Sequence, residues 1–293
     1  MLKRITVSLL LLIGTWSHQT QLASAQALLP YTLPLDQERL QADGKSLATD
    51  ALQLTQFEQF DEALARAQLA AQLLPGDPDI LALLGSLYLQ ASEPQADRAV
   101  TTLEQAKALR PDNALIRFAL GNAHFMQQDY NRAISAIEAG LELEPGNPNA
   151  LFDLGNAYFK INEFDTAIAQ YEQAVEEEST FWPAINNIGL VKYEAGDTAG
   201  AIAEWQRALE VAAEEQSEPQ LAIAVAQFAQ GNQASSDIAI VALERDPRYA
   251  DIEFLVNNLW GDKLIADTQQ FFSTPTLREL LVQLTPAEVQ PPL

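Results

Sequence analysis

LFDLGNAYFK, residues 151–160, and ALGNAHFM, residues 119–126, carry Gly-Asn pairs that lie 34 residues apart. Glycine is a poor residue for a helix interior, yet both stretches place apolar residues at helical spacing. The same interval continues outward. Gly121, Gly155 and Gly189 are spaced by 34, as are Ala133, Ala167 and Ala201, and Gly140, Ala174 and Ala208. Pro75 and Pro111 lie 36 apart, Pro111 and Pro145 34, and Pro145 and Pro247 102, with Ser179 and Ala213 at the intervening proline positions. A fixed period of this length is the signature of a stacked-repeat architecture.

Each unit reads as two helices joined by a short turn: Leu115 to Gln127, Asp129-Tyr130, then Arg132 to Leu143, closed by Glu144-Pro145-Gly146-Asn147-Pro148. No stretch alternates in the manner of a strand. The small residues mark close approaches between helices. Gly121 and Ala133 are expected where the two helices of a unit meet, and Gly140 where the second helix meets the next unit.

Leu154, Gly155, Tyr158, Ala167, Tyr171 and Ala174 together resemble the tetratricopeptide repeat (TPR). The likeness is strongest over 114–215. Residues 78–113 carry two extra residues near Ser92 to Ala96, and in the outer units Ala51 and Ile223 replace the key glycine. Six units result: 44–77, 78–113, 114–147, 148–181, 182–215 and 216–249. The resemblance implies an all-α, right-handed α-solenoid of about six TPR helix pairs, with the first helix of each pair lining a concave groove. Residues 250–293 are expected to form a C-terminal helical cap and tail. Within them, Tyr249 to Trp260 reads as one helix with Ile252, Leu255, Val256 and Leu259 on one face, and Thr276 to Leu284 as another.

At the other end, Lys3-Arg4, the apolar run Ile5 to Ile13 and Ala23-Ser24-Ala25 match a secretory signal peptide over residues 1–25. The run is short of the roughly 20 residues that span a bilayer, so cleavage is expected to leave no stable membrane anchor. Residues 26–43, with Pro30 and Pro34, are expected to be extended.

The chain has 293 residues, a hydrophobic content of 48%, no cysteine and a formal charge of −23. Residues 1–25 hold two basic and no acidic residues, which leaves 40 acidic and 15 basic residues after cleavage, a charge of −25. Such a chain repels nucleic acid and anionic lipid. Between Glu138 and Glu218, 17 acidic residues face only Lys160, Lys192 and Arg207. This excess reads as a solvated face, or as attraction for a basic partner or divalent cations.

Nothing in the sequence points to catalysis, a cofactor or a metal centre. His124 is the only histidine beyond residue 25 and sits at a packing position of the repeat. With that one histidine at a packing position, a Ser-His-Asp triad is not expected, and with no cysteine the usual zinc ligand sets are missing. Gly261-Asp262-Lys263 lacks the glycine spacing of a phosphate loop.

Partner binding is the expected role. Phe118, Asn122 and Phe125 stand at i, i+4 and i+7, one stripe of a helix, and Phe152, Asn156 and Phe159 repeat it. Asn186, Asn187 and Tyr193 continue the face, and Lys160 is its one basic residue. A carboxamide can donate to a backbone carbonyl and accept from a backbone N–H, so these residues could hold an extended segment of a protein partner. The competing reading is a solvated asparagine beside phenylalanines that pack between units. Some TPR grooves clamp a terminal carboxylate with Lys or Arg, but the matching positions here are Leu115, Ala119, Asn149, Asp153, Pro183 and Asn187. FWPAINNIGLVKYEAG (181–196) and RDPRYADIEFLVNNLWGDKLIADTQQFF (245–272) are similar to exported TPR proteins of cyanobacteria and the chloroplast thylakoid lumen. That resemblance implies an exported protein of the periplasm or thylakoid lumen, serving assembly or maintenance of a photosynthetic membrane complex. The alternative function is an acidic carrier of divalent cations supplying such a complex.

Overall fold

A computed structural model describes residues 36–212, 216–232 and 234–284. The expected signal peptide, residues 26–35 and the tail from 285 lie outside the described residues. Six helix pairs follow in order: α1 (Gln37–Gln56) with α2 (Phe60–Leu73), α3 (Pro78–Gln90) with α4 (Ala96–Leu109), α5 (Ala114–Met126) with α6 (Tyr130–Leu141), α7 (Pro148–Lys160) with α8 (Phe164–Glu177), α9 (Trp182–Glu194) with α10 (Thr198–Val211), and α11 (Ser217–Ala229) with α12 (Ser235–Arg245). A 3-10 turn (Pro247–Ala250) leads to α13 (Ile252–Asn257), α14 (Asp262–Phe272) and α15 (Pro275–Leu284). No strand occurs among the described residues. Residues 37–43, expected to be extended, belong to α1: they lie beyond Pro34, and the run Gln37-Glu38-Arg39-Leu40-Gln41 consists of good helix formers.

The turns repeat as faithfully as the helices. Gln128, Asn162, Gly196 and Gly231 each adopt positive φ, at 60°, 63°, 92° and 88°. The N–H that follows each donates five residues back, as from Asp129 to the His124 carbonyl at 2.9 Å and from Asp197 to the Lys192 carbonyl at 2.8 Å. This is the left-handed helix ending that satisfies otherwise orphaned carbonyls. Asp129 and Asp197 then cap the next helix by accepting from the N–H groups of Arg132 and Gly200.

Within a pair, the glycine of the first helix receives a side chain of the second. A Cβ on Gly85 would meet Leu103, on Gly121 Ile137, on Gly155 Tyr171 and on Gly189 Trp205. The missing side chain is therefore a socket. Gly140 behaves differently from its sequence expectation. It faces the Phe118 ring and the Ala114 carbonyl of its own unit's first helix, because the phenylalanine needs a gap in α6 to be accommodated.

The socket at Gly155 is rigid, since a Cβ there would lie 2.5 Å from Tyr171 Cε1 and the Tyr171 hydroxyl is held by Asn156 at 2.8 Å. Gly155→Leu is expected to cost about 3 kcal/mol through overpacking, and to lower the melting temperature by about 10 °C. An unchanged thermal transition would show that the ring is free to move aside.

First helices of neighbouring units approach each other, α3 with α5 and α5 with α7, more closely than second helices do. First helices therefore line the inside of the curve. The C-terminal segment turns back onto this inner side: α14 packs on α11 and α9, while α15 packs on α12. The single helix expected over 249–260 is interrupted, because α13 ends at Asn257 and Leu259 takes φ of 66°. Leu255 is buried there while Val256 is exposed.

Candidate functional site

The asparagines expected to line a groove form a directed chain of hydrogen bonds across units. Tyr171 donates its hydroxyl to Asn156 Oδ1 at 2.8 Å. Asn187 Nδ2 donates to the same oxygen at 3.0 Å. Asn186 Nδ2 in turn donates to Asn187 Oδ1 at 3.3 Å. At the equivalent place one unit earlier, Asn122 lies beside the Asp153 carboxylate on α7 and favours its charged form. The asparagines thus sit at junctions between first helices, where a side chain from each unit must meet a polar neighbour.

Burial divides the ten candidate residues. Phe118 is 8% exposed, with its ring in the Gly140 gap, and Tyr193 is 1% exposed. Tyr193 donates its hydroxyl to Asp267 Oδ2 at 2.6 Å and lies beneath Lys263, whose Nζ is 4.1 Å from the ring centroid. Both expectations of a groove-facing side chain are corrected here. Phe118 points into its own helix pair, and Tyr193 is covered by α14, a helix that the apolar pattern of the sequence does not single out. Phe159 is also buried, against Phe164. Asn122 and Phe125 remain partly exposed, Phe125 edge-on to Tyr130.

Four of the ten converge. Phe152, Asn156, Asn186 and Asn187 line one recess of about 510 Å³ on the inner face. Trp182 and Pro183 at the start of α9 extend this wall, and Tyr249, Phe254, Asn257 and Asn258 of the C-terminal segment form the facing one. Phe152 is held by an edge contact with Phe181 and a tilted contact with Tyr171, at centroid distances of 5.5 and 5.7 Å. Phe159 and Lys160 border a smaller recess of about 240 Å³, together with Glu194, Trp260 and Gly261. Glu194 anchors α14 by accepting from the N–H groups of Lys263 and Leu264 at 3.0 and 2.9 Å. The facing wall is not evident in the sequence. The paired carboxamides Asn257-Asn258 are the available signal, repeating the Asn186-Asn187 pair opposite.

Desolvation pushes Asp153 up to about 6, against the opposing effect of Asn122. Tyr171 and Tyr193 are raised first by burial, and Tyr193 also by its bond to Asp267. Because Asp153 keeps its proton to higher pH when folded than when unfolded, its contribution to stability is most favourable at acidic pH. It falls as pH rises from about 4 through about 6. Asp153→Asn keeps an acceptor for Asn122 and removes this penalty, worth about 1–3 kcal/mol at pH 7.5. The expected result is a higher melting temperature than the parent at pH 7.5 and coincidence of the two near pH 4. A constant difference across that range would contradict the assignment.

Among the described residues, no group of three or more His, Cys, Asp or Glu side chains gathers as a metal site. His124 is buried with Nδ1 3.2 Å from Gln127 Oε1, in the packing position expected for it. No described helix is long and apolar enough to cross a membrane.

Comparison with known proteins finds the tetratricopeptide repeat profile over residues 95–148 and 118–181. Curated proteins give no match. Among solved structures, this chain is similar to TTC0263, a thermophilic TPR protein of Thermus thermophilus, at 20% identity and a TM-score of 0.53, covering 63% of this chain and 99% of that one. It is also similar to MamA (41-end) from Desulfovibrio magneticus RS-1, at 20% identity and a TM-score of 0.51, covering 58% and 94%. At these identities the likeness is one of fold. The 34-residue period, the socketed helix pairs and the profile matched over residues 95–181 agree on a tetratricopeptide-type fold, an α-solenoid of stacked helix pairs among the described residues.

Proposed function

We propose that this protein is an exported, non-catalytic scaffold that holds an extended segment of a partner protein along the first helices of units three to five. The observation that carries this reading is the convergence of Phe152, Asn156, Asn186 and Asn187 on one recess of the inner face. Aromatic anchors of this type contribute about 2 kcal/mol or more when buried by a partner, and the neighbouring amides supply register at about 0.5–1.5 kcal/mol per hydrogen bond. The sequence likeness at 181–196 and 245–272 supports a periplasmic or luminal setting and a partner belonging to a photosynthetic membrane complex. The scaffold reading is preferred to a cation carrier because the acidic residues of units three to five are dispersed rather than gathered into a ligand set among the described residues.

Photo-crosslinking tests the reading directly. A photoreactive phenylalanine at position 152 is expected to give a discrete adduct in cells of the source organism. The same group at exposed Leu109 on α4 is expected to give none. Equal labelling from both positions, or from neither, would sink the groove as the binding surface. Fractionation of the same cells tests export, which requires the adduct outside the cytoplasm.

A further inference from the structure

The chain of carboxamides has a loose end. Asn156 Oδ1 accepts from Tyr171 and from Asn187, and Asn187 Oδ1 accepts from Asn186. With the amides in this orientation, Asn186 Oδ1 is the terminal acceptor of the chain. The Asn186 backbone carbonyl is also engaged, accepting from Trp205 Nε1 at 3.1 Å. Asn186 is only 1% exposed, and its Oδ1 has no hydrogen-bond partner. A buried acceptor in this condition is costly, and it borders the 510 Å³ recess, a volume within the usual range for ligand sites.

The charged groups around the recess already have partners. Glu218 accepts from Trp260 Nε1 at 3.1 Å and from the Tyr249 hydroxyl at 3.4 Å. Arg248 pairs with Asp246 at 2.7 Å and places its guanidinium 5.3 Å from the Phe254 ring centroid. What the two walls still offer a ligand is neutral: the Asn186 acceptor, the exposed Asn257 carboxamide and the aromatic faces of Phe152 and Trp182.

We propose that the segment following the last repeat, from Tyr249 to Leu259, is half of a ligand site rather than only a cover for the solenoid end. The recess clasps neutral polypeptide backbone between this segment and α7–α9, with a ligand N–H delivered to Asn186 Oδ1. This inference rests on the groove reading above and specifies where the partner segment is gripped and by which chemistry. It also makes the groove two-walled at this point, so that a bound segment is enclosed rather than laid on an open surface.

The test uses the full chain and a defined probe, N-acetyl-trialanine N-methylamide, alongside its fully N-methylated counterpart, which has no N–H to donate. Titration is followed by NMR at the Trp182 indole and the Asn186 carboxamide. Saturable shifts at both sites are expected, with the N-methylated probe at least tenfold weaker. Asn186→Leu, which removes the acceptor at similar volume, is expected to erase that tenfold gap. Asn257→Trp, at an exposed position on the facing wall, is expected to weaken the unmethylated probe at least tenfold without lowering the melting temperature. Equal binding of the two probes, no binding of either, or indifference to Asn257→Trp overturns the proposal. Shifts confined to Phe125 and Asn122 would also overturn it while leaving the groove reading in place. Loss of the position-152 adduct, by contrast, bears on the groove reading alone.

Discussion

Trp205→Ala is expected to cost about 3–5 kcal/mol and to lower the melting temperature by roughly 10–20 °C. Trp205 is fully buried, fills the socket over Gly189, lies 5.9 Å from the Tyr193 ring and donates Nε1 to the Asn186 carbonyl. Its truncation leaves a cavity and removes the second hydrogen bond to the Asn186 carbonyl. In a stacked-repeat fold each unit contacts chiefly its neighbours, so the damage should be regional. Hydrogen exchange is expected to accelerate in α9 to α12 and in α14, with α1 to α4 unchanged. Uniform acceleration along the whole chain would contradict nearest-neighbour stability.

Phe271→Ala is expected to cost a similar 3–5 kcal/mol, again roughly, with a different spatial signature. Phe271 is fully buried and stacks on Phe228 of α11 at a centroid distance of 4.5 Å and an interplanar angle of 23°. It is one of the apolar attachments of α14, beside buried Leu264 and Phe272. Without it, the helix relies on these two and on the polar fastenings at Tyr193–Asp267 and at Glu194. Tryptic cleavage after Lys263 is expected to rise steeply in this variant while the first four units keep their exchange protection. Continued resistance at Lys263 would mean that the remaining fastenings suffice.

The repeat architecture was legible because each unit restates the same spatial problem at the same interval. A glycine at one position and a bulky residue 16 later, as in Gly121 and Ile137, Gly155 and Tyr171, Gly189 and Trp205, define a helix pair in any register. The inter-unit hydrogen bonds were less legible. The bond between Asn156 and Asn187 connects residues 31 apart, so it joins one first helix to the next, and Asn122 and Asp153 face each other at the same interval. A single-helix stripe groups Phe118, Asn122 and Phe125 on one side, but it cannot register that a glycine on another helix draws Phe118 inward. α14 escaped notice for a local reason. The apolar pattern Ile252, Leu255, Val256, Leu259 continues smoothly through a residue whose φ of 66° ends the helix, and only a tertiary contact selects that break.

The side chains that fill the sockets are aliphatic in the earlier pairs, Leu103 and Ile137, and aromatic in the later ones, Tyr171 and Trp205. Aromatic fillings bury more apolar area than aliphatic ones, and burial of that area is the main source of stability. During synthesis the pairs with the smaller fillings emerge before those with the aromatic ones. The order of consolidation is therefore expected to run against the order of translation, with the early pairs acquiring lasting protection only after units four and five close behind them. A ribosome-bound chain halted after residue 147 should accordingly be far more protease-sensitive than one released after residue 212.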